Sequence, residues 1–289
     1  MMELWTVLVP LGKFVAYVLS LLMVGTGLFI LHFKSMLSLA TFTYCRKLIF
    51  QSSLAGLMVA PLLFLFVAGN IGGDLSSAID PLMIGIAFSS KAGQAVLILF
   101  LGFLLVSFWS YFLPKQIWTI VLAGFSCILI SFSVYGHSTI NGYTSQLLIV
   151  LHLLAISYWV GSFFPLRYST YRDVEDEKLF QIAHKFGIYA VYYILVLLVA
   201  GVSLGTILVG SLNSLLYSTY GQVFLLKLSL VSILLGIGAM NKFKLVPNLQ
   251  SNEKASAVKL RKSIGREIII LFFILVISSI ISTSIEPPY

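Results

Sequence analysis

Residues 136–166 read GHSTINGYTSQLLIVLHLLAISYWVGSFFPL, and this stretch decides what kind of chain it is. From Thr144 to Leu166 it is apolar for long enough to cross about 30 Å of bilayer hydrocarbon as a helix, which takes roughly 20 residues rising 1.5 Å each. Two histidines stand fifteen positions apart around the point of entry: His137 where the preceding apolar segment ends, and His152 inside the new one. An imidazole in hydrocarbon is costly unless it has a partner, so an ionisable residue within a span is a functional candidate.

The rest of the chain is of the same kind. With 59% hydrophobic residues, 10% charged residues and a mean hydropathy of +1.02, there is too little polar surface to cover a soluble globule. Eight apolar runs of spanning length are legible: Leu11 to Leu31, Leu48 to Ala68, Ala92 to Phe112, Lys115 or Gln116 to Tyr135, Thr144 to Leu166, Phe186 to Gly210, Gln222 to Met240 and Gly265 to Thr283. No alternating strand pattern accompanies them, and a backbone without water must be helical or a closed barrel. The expectation is an all-α, polytopic integral membrane bundle of about eight transmembrane helices. It forms one membrane domain over residues 1–289, with a first four-helix half at about 1–136 and a second at about 137–289.

Basic residues near span ends are retained on the cytoplasmic side. On this map fifteen of the eighteen Lys and Arg fall on one side, leaving Lys13, Lys91 and Lys227 toward the other. Both termini are therefore expected to be non-cytoplasmic, with His137 facing outward, in a multi-pass protein of the cytoplasmic (inner) membrane. The net charge of +8 then reads as a topology and anionic-lipid signal, and no nucleic-acid partner is expected. The first span lacks a small-residue cleavage site and is read as part of the mature protein. Cys45 falls in the first cytoplasmic loop and Cys127 in the middle of the fourth span, so depth argues against an internal disulfide.

Three connections are long. The outer segment Gly69 to Lys91 joins glycines to a short apolar run, Pro81 to Phe88, which reads as a small interfacial helix and carries Asp74, Asp80 and Met83. Asp74 and Met83 are weaker candidates for meeting a metal ion. On the other side, Arg167 to Lys185 reads as a solvated helical hairpin, and the basic stretch Asn241 to Arg266 reads the same way.

Within the membrane, a fifth helix starting near Tyr143 places His152 about 13 Å below the outer surface. Neutral imidazole suits copper, iron, nickel, zinc or haem iron; the alternative is an interhelical hydrogen bond from a packed histidine. His137, at the outer end of the fourth helix, is a ligand or an ordinary surface histidine, and the difference in depth does not require the two to share one site. Lys227 lies about five residues into the seventh span, where it snorkels, pairs, or faces inward and disfavours a cation. Glu267 stands beside Arg266 and is expected to pair there. Met23, Met58, Met83 and Met240 show no clustered ligand motif.

Several pieces together resemble one family: GH followed by LHLLAISYWVGSFFPL, then YGQVFLLKLSLVSILLGIGAMNKFKLVPNL, and finally LRKSIGREIIILFFILVISSIISTSIEPP. From about Tyr135 to Pro288 the chain resembles the copper resistance D (CopD) family of bacterial membrane proteins, while the first four spans agree in number and character with weaker motifs. In that pattern His152 matches the histidine before the tryptophan-glycine pair, here Trp159 and Gly161, and Lys227 the lysine of the YG-x-LLK helix. Asn241 and Pro247 match the N-x-P end of that helix, Glu267 the acidic start of the last helix, and Pro287 and Pro288 its terminal prolines. Lys227, Trp159, Glu267 and Asn241 are taken as structural or gating residues.

The resemblance implies copper transport or copper homeostasis, with copper as transported ligand and a periplasmic CopC-type carrier as partner. With about ten residues before the first span and six after the last, that carrier is expected to be a separate polypeptide. Homo-oligomerisation is left open. Transport rather than enzymatic catalysis is expected, and with no nucleotide-binding loop or aspartyl-phosphate motif visible the driving force is expected to be the gradient, the membrane potential or intracellular trapping. The membrane potential favours inward movement by about 2.3 kcal/mol per unit charge per 100 mV. On this reading copper meets His137, Asp74 and Met83 at the outer mouth and passes to His152. Two other classes stay open: a haem-binding membrane redox protein, distinguished by a Soret band, and a non-transporting membrane partner of a copper carrier, distinguished by binding without flux.

Overall fold

The computed structural model describes residues 2–112, 118–136, 139, 141–172, 178–250 and 253–288. Helices dominate: α1 Met2–Phe33, α2 Leu39–Gly72, α3 Pro81–Ser89, α4 Lys91–Phe112, α5 Trp118–Ser131, α6 Gly142–Arg172, α7 Lys178–Val209, α8 Leu212–Tyr217, α9 Thr219–Met240 and α10 Glu253–Ser284. No strand occurs among the described residues. Seven of the described helical stretches are long and apolar enough to cross a membrane, so the chain is a polytopic membrane helical bundle. The segment read as a fourth span contributes the shorter apolar helix α5, about 21 Å long at 1.5 Å per residue. His137 and residues 113–117, where that span was expected to begin, lie outside the described residues.

Two helices begin earlier than their apolar cores. The Ser38 hydroxyl caps α2 by accepting from the Thr41 N–H at 3.2 Å, nine residues ahead of the expected start at Leu48. Cys45 is therefore buried inside a helix and does not sit in a loop, and both cysteines are free. The stretch Asn241 to Arg266 is likewise no solvated hairpin. A π-helical turn, Asn241–Leu245, and a 3₁₀ turn, Pro247–Leu249, carry the chain into α10, and Leu249, Ala257, Leu260 and Ile264 are buried beneath its basic residues. Ala257, Leu260 and Ile264 recur every three to four residues and make one stripe on α10. Arg261 covers the Tyr171 ring at 3.7 Å.

At the opposite end of the bundle, the short helix expected near Pro81 to Phe88 is present as α3. Asp80 caps it, accepting from the N–H groups of Leu82 at 2.7 Å and Met83 at 3.2 Å, with Pro81 at the first helical position. Gly73 ends α2 in the left-handed region, φ 85°, and donates its N–H to the Gly69 carbonyl at 2.8 Å.

The helices α1 and α6 form the centre. α1 packs against α2, α6 and α10, and α6 packs against α7 as well; α2, α4 and α5 extend the layer on one side. Lipid tails are as apolar as leucine, so helix association here rests on close packing more than on burial. The tightest point is the crossing of α1 and α6. A Cβ on Gly161 would overlap the backbone of Gly25 and Thr26, and a Cβ on Gly25 would overlap the Ser157 carbonyl. The Thr26 hydroxyl donates to the Gly161 carbonyl at 3.2 Å across this contact. The least covered span is α9, whose backbone lies closest to α10 and α8 and which meets α7 through side chains such as Phe224 against Gly205. Its Leu225, Leu226, Leu228 and Ile233 are exposed to the surrounding lipid.

Candidate functional site

Two cavities lie one above the other along the same four helices, α6, α7, α9 and α10. The first, of about 210 Å³, is also walled by α1 and opens toward the end of the bundle where α1 begins and α10 ends. The second, of about 220 Å³, lies toward the other end, where α9 meets its π-helical turn. Successive turns of the same helices divide them. Ile156, Leu197 and Val231 line the first cavity, and Trp159, Ile194 and Leu235 line the second. Between the two is only a gap among Tyr158, Trp159, Tyr193 and Leu197 with no room for a water molecule.

His152 lines the first cavity. It lies ten residues into α6, about 15 Å from that helix end at 1.5 Å per residue, close to the depth read from the sequence. Its ring fits against α7 because residue 201 is glycine: a Cβ there would stand 3.2 Å from the imidazole Cε1. The ring is hydrogen-bonded to the Leu197 backbone of α7, while the buried Nδ1 has no partner and stays open to a ligand. Lys227 lines the same cavity and faces inward, and Lys13 reaches it from α1. The Lys13 ammonium donates to the Ser282 carbonyl at 3.4 Å and stands 5.9 Å from the Tyr17 ring centre.

The second cavity is built around Glu267, only 2% exposed. Successive residues on a helix point to different faces, so Glu267 turns away from Arg266 and toward α9. The expected pairing with Arg266 is replaced by a bond from Asn241: its Nδ2 donates to Glu267 Oε2 at 2.9 Å. Asn241 Oδ1 in turn accepts from the Ser263 hydroxyl at 2.5 Å. Ser263 and Glu267 stand four apart on one face of α10, and the π-helical turn that starts at Asn241 brings the amide to both. The Trp159 indole closes the cavity against Gly238, where a Cβ would lie 3.2 Å from its Cζ2.

The remaining candidates stand apart. Asp74 accepts from the Ser76 hydroxyl at 3.0 Å, the Ser77 N–H at 2.7 Å and the Ser77 hydroxyl. These bonds, those from Ser77 first, hold its carboxyl below the usual carboxylate range and occupy it in a local turn. Met83 packs with Phe64, Ala68 and Ala87. Neither residue lines the first cavity, and His137 lies outside the described residues.

The sequence reading passed over two elements. Lys13 served there only as a topology marker, although a lysine nine residues past Leu4, inside a span, is itself a signal. His32 was not singled out. Its Nδ1 bonds the Leu28 carbonyl at 2.8 Å, and its ring packs on Tyr189 with centres 4.8 Å apart, beside Tyr158 and Tyr193. With that acceptor on Nδ1, His32 is a satisfied packed histidine. No group of three or more His, Cys, Asp or Glu placed to hold a metal occurs among the described residues.

Two family models match the chain. Copper resistance protein D-like, N-terminal domain, covers residues 1–147, and Copper resistance protein D covers residues 180–281. His152 and Trp159 fall between the two matched segments. Among curated proteins, the Copper transport protein CutJ of Bacillus subtilis (strain 168) is 27% identical over 208 residues, which is 67% of this chain and 38% of that protein. The chain thus spans well under half the length of that relative. No solved structure matches.

Proposed function

Since the chain belongs to the copper resistance protein D family, we propose that it carries copper across the cytoplasmic membrane by way of the two stacked cavities. The observation that carries this reading is the unpartnered Nδ1 of His152, buried on a cavity that continues, past one apolar turn, toward a second cavity holding a carboxyl group. Imidazole nitrogen is a good copper ligand, and a lone ligand releases its ion more readily than a full coordination set. The basic ends of α2, α6, α7 and α10 gather at the end of the second cavity, and by the positive-inside tendency that end is cytoplasmic. The first cavity then faces outward, and copper delivered there by a CopC-type carrier meets His152.

The residues divide the work by position. His152 takes copper in the outer cavity; Ile156, Leu197, Val231 and Trp159 separate it from the inner cavity; Glu267, held by Asn241, offers an oxygen ligand at the inner exit. Passage requires the apolar turn to open, because its gap does not admit a water molecule. Inward movement down the membrane potential supplies about 2.3 kcal/mol per unit charge per 100 mV. Copper accumulation in cells producing His152→Ala should fall by about tenfold or more relative to wild type, the expected loss when a transit site loses its ligand. His184→Ala, at an exposed position on α7, should change nothing. Equal accumulation in wild type and His152→Ala would sink this role.

A further inference from the structure

The outer cavity is the wrong sign for a bare cation. Three basic side chains from three helices face it, Lys13 of α1, His152 of α6 and Lys227 of α9. Counted from Leu4, Gly142 and Thr219, they lie about 14, 15 and 12 Å along their helices, so they share one layer of the bundle. No Asp or Glu among the described residues lines the cavity. Lys13 has partial compensation from the Ser282 carbonyl and the Tyr17 ring. Lys227 has no hydrogen-bond or ion-pair partner among the described residues, and the His152 Nδ1 has none either. Unpaired positive charge at this depth in a low-dielectric bundle is costly, and the site lacks the counter-charge that buried ionisable groups require.

We infer that the outer cavity binds a small monovalent inorganic anion of the halide class between Lys13 and Lys227, beside His152, and that copper enters it as an anionic halide complex. The second clause rests on the copper reading above. Size and chemistry select the halide. The remaining walls are mostly leucine, isoleucine, valine and phenylalanine; of the five hydroxyls among them, Ser278 and Ser282 already donate to carbonyls of α10, which leaves three tyrosines beside the basic groups. A spherical, weakly hydrated ion needs few directed bonds, and a space of about 210 Å³ holds it with room for a metal. The layer also lies deeper than the headgroup region, so a lipid phosphate would have to be drawn into the hydrocarbon to reach it. Copper(I) with two halides carries a net negative charge, which the two lysines attract. In the cavity the His152 Nδ1 lone pair forms a bond to copper as one copper–halide bond breaks. The halide leaves with its electron pair and stays beside the lysines, and the oxidation state of copper is unchanged.

Equilibrium binding of radiolabelled chloride to purified, copper-free protein in detergent tests the site. Wild type should bind saturably, with bromide competing. Lys13→Met and Lys227→Met should each weaken binding by about tenfold or more, the usual scale for losing a charge-assisted hydrogen bond, while Lys227→Arg stays within about threefold. Absence of saturable binding by wild type overturns the proposal without reference to any variant. Unchanged binding in both Met variants, or chloride displaced by phosphatidylglycerol but not by phosphatidylcholine, overturns it as well; the latter assigns the lysines to a headgroup phosphate. In sealed vesicles, copper uptake in chloride should exceed that in gluconate by about fivefold or more, and equal rates overturn the entry of copper as a halide complex. Chloride binding that survives alongside equal copper accumulation by wild type and His152→Ala supports the anion site while removing the copper reading.

Discussion

Gly161→Ala should yield no folded protein from the membrane. The added methyl would overlap the backbone of Gly25 and Thr26, and backbone atoms at the crossing of two central helices cannot rotate aside as a side chain does. Relief requires α1 and α6 to separate, which also breaks the bond from Thr26 to the Gly161 carbonyl. We expect a loss above about 4 kcal/mol, in the range where single substitutions are severe. The reciprocal change, Gly25→Ala, meets the Ser157 carbonyl and should behave alike. Gly236→Ala and Gly265→Ala face open space and should leave stability unchanged or raise it by up to about 1 kcal/mol, the helix-propensity difference. Size-exclusion profiles and melting temperatures in detergent read out the comparison. A monodisperse Gly161→Ala protein melting with wild type would refute the close crossing.

Asn241→Leu should destabilise the inner end by about 2–6 kcal/mol, because it orphans two buried groups at once, each worth roughly 1–3 kcal/mol. Glu267 Oε2 loses its amide donor, and the Ser263 hydroxyl loses its acceptor. Replacing all three members, Asn241→Leu with Glu267→Leu and Ser263→Ala, should recover much of the loss, since removing every partner of a buried network is far less damaging than removing one. A triple variant less stable than Asn241→Leu alone would show that the network is held by contacts other than these bonds. Copper flux separates stability from function: the triple variant is expected to be stable and slow, having no carboxyl at the inner exit.

Much of this bundle was legible because apolar runs of spanning length have few other fates in a chain this poor in charge. The depth of His152 followed from the same arithmetic. Helix starts were less legible. At α2 and α10 the apolar core ends where charged residues begin, yet the helix runs on with its buried face intact, and Ser38 or the stripe Ala257, Leu260, Ile264 was the local signal. The supposed pairing of Glu267 with Arg266 contradicted helix geometry, in which neighbours in sequence point apart. The grouping of Lys13, His152 and Lys227 could not be read from the chain at all. It depends on α1 lying against α6 and α10 and on α9 lying against α10, a matter of packing between helices far apart in sequence.

The sparse cover of α9 has a mechanical meaning. Phe224, Lys227, Leu228 and Val231 wall the outer cavity, and Leu235 and Gly238 wall the inner one, so a single rigid rod borders both. The rod is anchored in lipid over most of its surface, interrupted at one end by the Ser218 cap and at the other by a π-helical turn. A helix so placed meets lipid along most of its length, and the two chambers share it as one continuous wall.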